Sequence, residues 1–194
     1  MRKLIVLTLV FISGAAQAAL VDRGGGFIYD DVLDVTWTQN ASINGADTWE
    51  NQVAWADSLS IYDSVRGVTW DNWRLASADV NGDGVIVTCS AATEIACRDS
   101  ELGYMGQFNG VTGGSPGLFT NVQSWFYWSG TEDSENNAWA VLLGGTEGNT
   151  NKEGIFSAWA VMDGDVAAVP APAAVWLFGS GLGLLGWFRR RQTA

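Results

Sequence analysis

Residues 79–86, with the sequence DVNGDGVI, place oxygen-bearing side chains at alternating positions. One residue separates Asp79 from Asn81 and Asn81 from Asp83, and the intervening glycines permit a tight turn that lets the three side chains converge. Hard divalent cations prefer such oxygen ligands. The spacing therefore predicts a calcium site formed by these three residues.

The pattern agrees with the first half of an EF-hand or dockerin-type calcium loop. The second half is incomplete, because Ser90 occupies the position of the closing glutamate and no helix is evident before the loop. Glu94 or Asp99 could supply the missing carboxylate if the fold brings one of them close. An ordinary turn rich in Asp, Asn and Gly is the alternative interpretation. No cofactor other than calcium is predicted.

The sequence contains no histidine. This excludes nucleophilic catalysis by a serine or cysteine with an imidazole base, and it excludes zinc sites that use histidine. Pairs of carboxylates remain available for glycoside hydrolysis, but their separation in space decides that chemistry and no spacing along the chain singles out a pair. We therefore predict no catalytic residue, and we keep a carboxylate-dependent enzyme acting on glycans as the alternative.

Cys89 and Cys97 are the two cysteines of the chain. They are close in sequence, and the export signals described below direct them to an oxidising compartment, so we expect a disulfide between them. On the loop-entropy model it would stabilise the fold by about 2 to 3 kcal/mol. A metal or redox role is disfavoured because neither a histidine nor a Cys-x-x-Cys motif accompanies them.

Nine tryptophans lie between residues 19 and 166. Most are expected in the core, whereas an exposed indole can stack against the apolar face of a sugar ring. Trp70 and Trp125 have polar neighbours in the sequence. We predict that these two are exposed and bind polysaccharide.

The same region carries five basic residues against 21 acidic ones, which gives a formal net charge of −16. Nucleic acids and anionic lipid surfaces are therefore excluded as expected partners. Cations, neutral sugars and basic surfaces remain compatible with this charge.

Hydrophobic periodicity predicts an α+β fold for residues 19–166. The expected fold is a single compact domain with short antiparallel strands, one or two helices and long loops. One helix is expected to begin at Asp47–Glu50, where a capping pattern precedes apolar residues, and a second near Asp99. The predicted strands cover residues 26–30 and 33–37, which form a hairpin, and residues 126–129, 137–143 and 157–162.

The tetrapeptide Ala-Trp-Ala-Val occurs twice, at residues 138–141 and 158–161. A segment rich in glycine and asparagine, residues 144–154, separates the two copies and reads as a turn. We therefore predict two neighbouring antiparallel strands that place Trp139 and Trp159 on equivalent faces.

The N-terminus has the three regions of a secretory signal peptide, residues 1–18. Two basic residues precede an apolar run at residues 4–12, and a small-residue segment follows it. Ala16 and Ala18 fit the pockets of signal peptidase, which is expected to cleave after Ala18.

The C-terminus consists of a proline-containing linker at residues 167–172, an uncharged apolar segment at 173–188 and a basic tail at 189–194. We interpret the apolar segment as a single transmembrane helix that places the preceding domain outside the cell. Trp176 and Trp187 would lie at the membrane interfaces. The cytoplasmic side is assigned by the basic residues Arg189, Arg190 and Arg191.

Residues 169–182, VPAPAAVWLFGSGL, together with the arginine cluster, resemble the PEP-CTERM sorting signal in its VPLPA variant. The resemblance implies a second membrane partner, an exosortase, which would cut near Pro170 and Pro172. Ala171 departs from the pattern, in which leucine is commoner.

Five motifs in order resemble the Lcl C-terminal domain family, whose pattern is LTW, WRLPT, EL, YWSST and AW. In this chain they read LDVTW at 33–37, WRLAS at 73–77, SEL at 100–102, FYWSGT at 126–131 and AWAV at 138–141. The resemblance implies a C-type-lectin-like architecture and an adhesin module that binds sulfated polysaccharide. Ala76 replaces the usual proline, and Val161-Met162 replaces a Val-Arg pair. The missing arginine and the charge of the domain argue against a sulfated ligand.

Together these features predict a non-enzymatic exported protein. After passage across the inner membrane it would be held by its C-terminal anchor and then processed to the cell surface or extracellular matrix. There it would act as a binding or structural module for polysaccharide. A purely structural, calcium-stabilised matrix component is a further possibility.

Overall fold

The computed structural model describes residues 20–166. The predicted signal peptide, linker, transmembrane helix and basic tail lie outside the described residues. Within residues 20–166 no helix is long and apolar enough to cross a membrane.

The described chain is mostly β, with three short helices. The strands are β1 (Leu20–Gly24), β2 (Phe27–Asp30), β3 (Val35–Thr38), β4 (Ala46–Asp47), β5 (Ile61–Asp63), β6 (Val68–Trp70), β7 (Arg74–Leu75), β8 (Phe126–Ser134), β9 (Asn137–Leu142), β10 (Glu147–Asn151), β11 (Phe156–Ala158) and β12 (Ala160–Asp163). The helices are α1 (Trp49–Ser58), α2 (Glu94–Cys97) and α3 (Glu101–Gln107).

Two five-stranded sheets and one small hairpin organise these elements. The first sheet has the order β1-β2-β3-β12-β7, the second has the order β10-β9-β8-β11-β4, and β5 pairs with β6. The pairs are antiparallel except for β8 and β11, which are parallel. Short, mostly antiparallel strands with a few helices agree with the predicted α+β class.

Trp159 lies at the point where the chain passes from the second sheet to the first, between β11 and β12. It is fully buried, and its indole N–H donates to the carbonyl oxygen of Thr38 at 2.8 Å. Its ring contacts Trp37, Phe119 and Tyr127 at centroid distances of 5.0, 4.7 and 5.9 Å. This aromatic cluster joins the two sheets in one core.

Local sequence explains the elements that were predicted correctly. The hairpin of β2 and β3 turns at Asp30, whose carboxylate accepts hydrogen bonds from the backbone N–H groups of Val32 and Leu33. Helix α1 has Thr48 as its N-cap residue. Helix α3 begins after Ser100, whose side chain accepts a hydrogen bond from the Gly103 N–H.

The predicted pairing of the two Ala-Trp-Ala-Val segments is wrong. Residues 144–154 are not a simple turn, because they contain β10, which takes the place beside β9. The second segment therefore lies elsewhere, with Ala158 in the second sheet and Val161 in the first. Trp139 is half-buried and Trp159 fully buried, so the two indoles have different environments.

Candidate functional site

Three carboxylates come together at the loop that follows β7. The side-chain oxygens of Asp79, Asp83 and Asp99 lie within 4.8 Å of one another, and this group could hold a metal ion. Asp79 and Asp83 come from the predicted loop, whereas Asp99 comes from the turn between α2 and α3. The fold therefore adds a carboxylate from a distant part of the sequence.

Backbone hydrogen bonds fix the shape of this acidic loop. The Asp79 carboxylate accepts from the N–H groups of Gly82, Asp83 and Gly84 at 2.8, 3.2 and 2.9 Å. Gly82 and Gly84 have φ angles of +71° and +78°, a backbone region that favours glycine. The Asp99 carboxylate accepts from the Asn81 N–H at 2.9 Å, which ties the loop to the helical segment.

The geometry bears on two sequence expectations for this loop. The Asn81 side-chain oxygen accepts from the Asp83 N–H at 2.8 Å, which holds this side chain in the loop, and its role as a ligand stays a prediction. Of the two candidates for the missing carboxylate, Asp99 joins the group. Glu94 instead binds Arg98 at 2.8 Å and the Tyr104 hydroxyl at 3.2 Å, and these hydrogen bonds lower the pKa of Glu94.

The predicted disulfide between Cys89 and Cys97 is present. Both residues are buried, and their Cα atoms are 5.0 Å apart. Cys97 is the last residue of α2, two positions before Asp99. The disulfide thus ties the chain after the acidic loop to the helix that leads into Asp99.

Trp125 is one of the most exposed large apolar residues of the described chain, at 62%. Its ring stands perpendicular to that of Phe126, with centroids 5.5 Å apart. Phe126 in turn contacts Phe156 at 5.9 Å. The three rings form an aromatic surface at the start of β8, and the prediction that Trp125 is exposed is confirmed.

An aromatic groove of about 210 Å³ lies on the second sheet, and Trp125 contacts Phe126, one of the residues that line it. Its apolar floor includes Phe126, Ala140 and Phe156, and polar side chains line it from β10 and the turn before it. The lining polar residues are Thr146, Asn149 and Thr150. Apolar rings next to hydroxyl and amide groups can contact both the C–H face and the hydroxyl groups of a sugar.

The prediction that Trp70 is exposed is wrong. Its ring is half-buried and packs against a cluster that includes Phe27 and Trp73. Its indole N–H donates to the buried carboxylate of Asp63 at 3.2 Å. The polar sequence neighbours Asp71 and Asn72 are exposed although the indole is not, and Trp70 does not line the aromatic groove.

A second depression, a cleft of about 450 Å³, lies between α1, β7 and the start of the acidic loop. Its apolar wall contains Trp49, Val53, Leu75 and Val80. The other lining residues are Asp57, Arg74, Ser77, Gly130 and Asp163. The sequence analysis did not identify this cleft, because its residues come from four distant segments.

Arg74 lies at the polar side of the cleft in a network with two carboxylates. It makes paired 2.7 Å hydrogen bonds to Glu101, which is buried, and a 2.6 Å contact with the exposed Asp163. Burial alone would lower the pKa of Arg74, but the hydrogen bonds and charges of Glu101 and Asp163 raise it. The guanidinium therefore stays positively charged, and its hydrogen bonds to Glu101 join β7 to α3.

Among residues 20–166, two carboxyl groups have a raised pKa, and neither of them lines the cleft or the aromatic groove. Burial raises the pKa of Asp30 at the turn of the β2–β3 hairpin. Burial also raises the pKa of Glu147, which lies beside the disulfide and accepts from the Cys89 N–H at 3.2 Å. Asp30 ends β2 in the first sheet, whereas Glu147 begins β10 in the second.

Comparison with protein-family models, with curated proteins and with solved structures gave no match for this chain.

Proposed function

We propose that this chain is an exported, non-enzymatic module that binds polysaccharide at the aromatic groove. The observation that supports this best is the 62% exposure of Trp125, whose ring contacts Phe126 in the lining of that groove. Leaving an indole in water forgoes the free energy of burying it, so an exposed tryptophan next to further aromatic rings is typical of a binding surface.

The charge of the domain favours a neutral or basic ligand. Each of the five basic residues between residues 19 and 166 is already paired with a carboxylate. A sulfated polysaccharide would therefore meet a surface with excess negative charge. On this proposal the module resembles the Lcl C-terminal domain family and has a C-type-lectin-like fold. It differs in binding a neutral or basic ligand in place of a sulfated polysaccharide.

The ends of the chain support export and processing. The signal peptide would be removed after Ala18, and the C-terminal segment resembles a PEP-CTERM signal. Its exosortase would act near Pro170 and Pro172, after which the domain would function at the cell envelope or in the extracellular matrix.

Substitution of Trp125 by alanine tests the binding surface. We expect the full-length Trp125→Ala protein to lose most of its retention in gels that contain neutral polysaccharide, because the stacking surface is removed. Its melting temperature should stay close to that of the parent, since the indole contributes little to the core. Tyr62→Ala is the matched control, because Tyr62 is 65% exposed on the separate β5–β6 hairpin.

Equal retention of the parent and Trp125→Ala proteins would overturn the groove as the binding site. Release of shorter glycans from the polysaccharide by the purified protein would favour the alternative, a carboxylate-dependent glycan hydrolase.

The acidic loop supports a second proposal, that calcium stabilises the domain. Three carboxylates within 4.8 Å of one another repel when no cation is present, and calcium takes oxygen ligands of this kind. We expect millimolar calcium to give heat in a calorimetric titration and to raise the melting temperature. Asp99→Asn should reduce both effects, whereas Glu94→Gln should retain them because Glu94 lies in a different ion pair. Absence of heat and of a thermal shift in the parent protein would remove this proposal.

A further inference from the structure

We infer that the 450 Å³ cleft between α1 and β7 is a second sugar site, which takes a hexosamine with a free ammonium group. The inference rests on the proposed function, because it names the class of sugar that a polysaccharide ligand would contain. The cleft and the aromatic groove share no residue in their described linings. The two sites can therefore be tested separately.

The positive charge of Arg74 is not available to a ligand in this cleft. Its Nε donates to Asp163, its Nη1 donates to Glu101 and to the carbonyl oxygen of Leu75, and its Nη2 donates to Glu101 and Asp163. These bonds occupy all five N–H groups of a guanidinium. An anionic ligand would therefore find no unused donor on this side chain.

Two other carboxylates leave the cleft with excess negative charge. Asp57 is exposed on α1, and its side chain has no hydrogen bond or ion pair with the described residues. The Asp163 side chain is 80% exposed even though one of its oxygens contacts Arg74. Because Glu101 already balances the charge of Arg74, Asp57 and Asp163 give the lining a net attraction for a cation.

The apolar wall of the cleft includes part of α1, where Trp49, Val53 and Asp57 follow one another at intervals of four residues and so share one face of the helix. Trp49 donates its indole N–H to the carbonyl oxygen of Ser129 at 2.8 Å, and the ammonium of Lys152 lies 4.5 Å from its ring centroid. Val53 and Leu75 continue this wall. A bare metal ion would gain nothing from such a surface, whereas a sugar ring presents an apolar C–H face to it.

The volume also fits an organic ligand. A space of about 450 Å³ lies within the range of pockets that bind small molecules. An amino sugar combines the two properties that the lining selects, an apolar ring face for Trp49 and an ammonium group for Asp57 and Asp163. A neutral N-acetylated sugar would retain the first contact and lose the second.

Binding of two matched glycans to the full-length protein tests this inference. The probes are fully deacetylated glucosamine oligosaccharides and their N-acetylated counterparts of equal length, measured by calorimetry. We expect tighter binding of the deacetylated form. Asp57→Asn should weaken its binding by about twofold to fivefold, as expected for the loss of one exposed charge pair, and Asp57→Lys should weaken it further. Trp125→Ala should leave the preference for the deacetylated form unchanged.

Asp133→Asn is the control for general charge attraction, because Asp133 is also exposed but lies near the far end of β8. Equal losses in Asp57→Asn and Asp133→Asn would overturn the cleft as the site. Equal binding of the two oligosaccharides would also overturn the inference, while the proposed function would stand. Failure of the parent protein to bind any polysaccharide would instead contradict the proposed function.

Discussion

At the scale of single residues, Glu147 has an environment that penalises its charge. One carboxylate oxygen accepts a hydrogen bond from the Cys89 N–H, and the other is buried without a hydrogen-bond partner among the described residues. Burial raises its pKa above the ordinary value of 4.5, despite the opposing effect of backbone hydrogen bonds. The protonated form of Glu147 is therefore favoured by folding.

This environment predicts that Glu147→Gln raises the free energy of unfolding relative to the parent protein, and does so more at high pH than at low pH. Below the ordinary pKa the carboxyl is protonated in both folded and unfolded chains, and it carries no penalty. As pH rises through the raised folded pKa, the parent protein loses stability that the variant keeps. The free energy of unfolding of the variant, relative to the parent, should thus be higher at about pH 8 than at about pH 4. The prediction would be contradicted if urea titrations gave the same difference in free energy of unfolding between variant and parent at both pH values.

The ion pair between Arg74 and Glu101 predicts a loss of stability in Glu101→Gln. The Glu101 side chain is only 2% exposed, and it also accepts from the Ser77 N–H at 2.6 Å. Weakening a buried, paired carboxylate should lower the free energy of unfolding by about 2 kcal/mol. Glu94→Gln is the control, because the exposed pair of Glu94 and Arg98 should contribute little. Similar unfolding curves for the two variants would show that the Arg74 network does not stabilise the fold.

At the scale of elements, the close packing of α3 against the end of β9 depends on Gly106. A Cβ atom at this position would lie 2.1 Å from the backbone nitrogen of Gly144 and 2.8 Å from the carbonyl carbon of Leu143. These backbone atoms cannot rotate away. Gly106→Ala should therefore destabilise the domain by about 2 to 3 kcal/mol in urea unfolding.

Gly114→Ala provides the comparison, since no atom lies within 4 Å of the added methyl group. If both alanine variants unfold at the same urea concentration, the contact between α3 and β9 is looser than described.

Sequence patterns predicted the elements that have strong local signals. The β2–β3 hairpin has apolar and β-branched residues on both sides of an aspartate turn. Ser100 caps α3 with its side chain, whereas Thr48 precedes α1 without a side-chain cap hydrogen bond. β10 was missed because its sequence, EGNTN, has no large apolar residue and only one β-branched residue, Thr150. It is a strand because it pairs with the apolar β9, which is a tertiary effect.

The candidate sites were predictable only where one segment supplies them. The spacing of Asp79 and Asp83 indicated the acidic loop, but no sequence pattern could choose Asp99 over Glu94 as the third carboxylate. The cleft was missed because it needs contacts between α1, β7, β8 and β12. The prediction for Trp70 was wrong because the exposed polar residues that follow it, Asp71 and Asn72, do not determine the burial of its own side chain, which packs against a tertiary cluster.

At the scale of the whole molecule, the proposed export and processing would determine where the proposed binding surface acts. Intact mass measurement of the protein from cells with and without the sorting peptidase tests this. We expect the mature chain to begin at Ala19, and we expect its C-terminus to lie near Pro170 to Pro172 only when the peptidase is present. An intact C-terminus in both strains would leave a simple membrane anchor.

The measurement that tests the central claim most directly is hydroxyl-radical footprinting with and without neutral polysaccharide. Trp125 and Tyr62 are both exposed, and they belong to different parts of the surface, so each reports on its own region. If the aromatic groove binds polysaccharide, oxidation of Trp125 falls when the ligand is added, while oxidation of Tyr62 does not change. Unchanged oxidation of Trp125 in the presence of bound polysaccharide would contradict the proposed site.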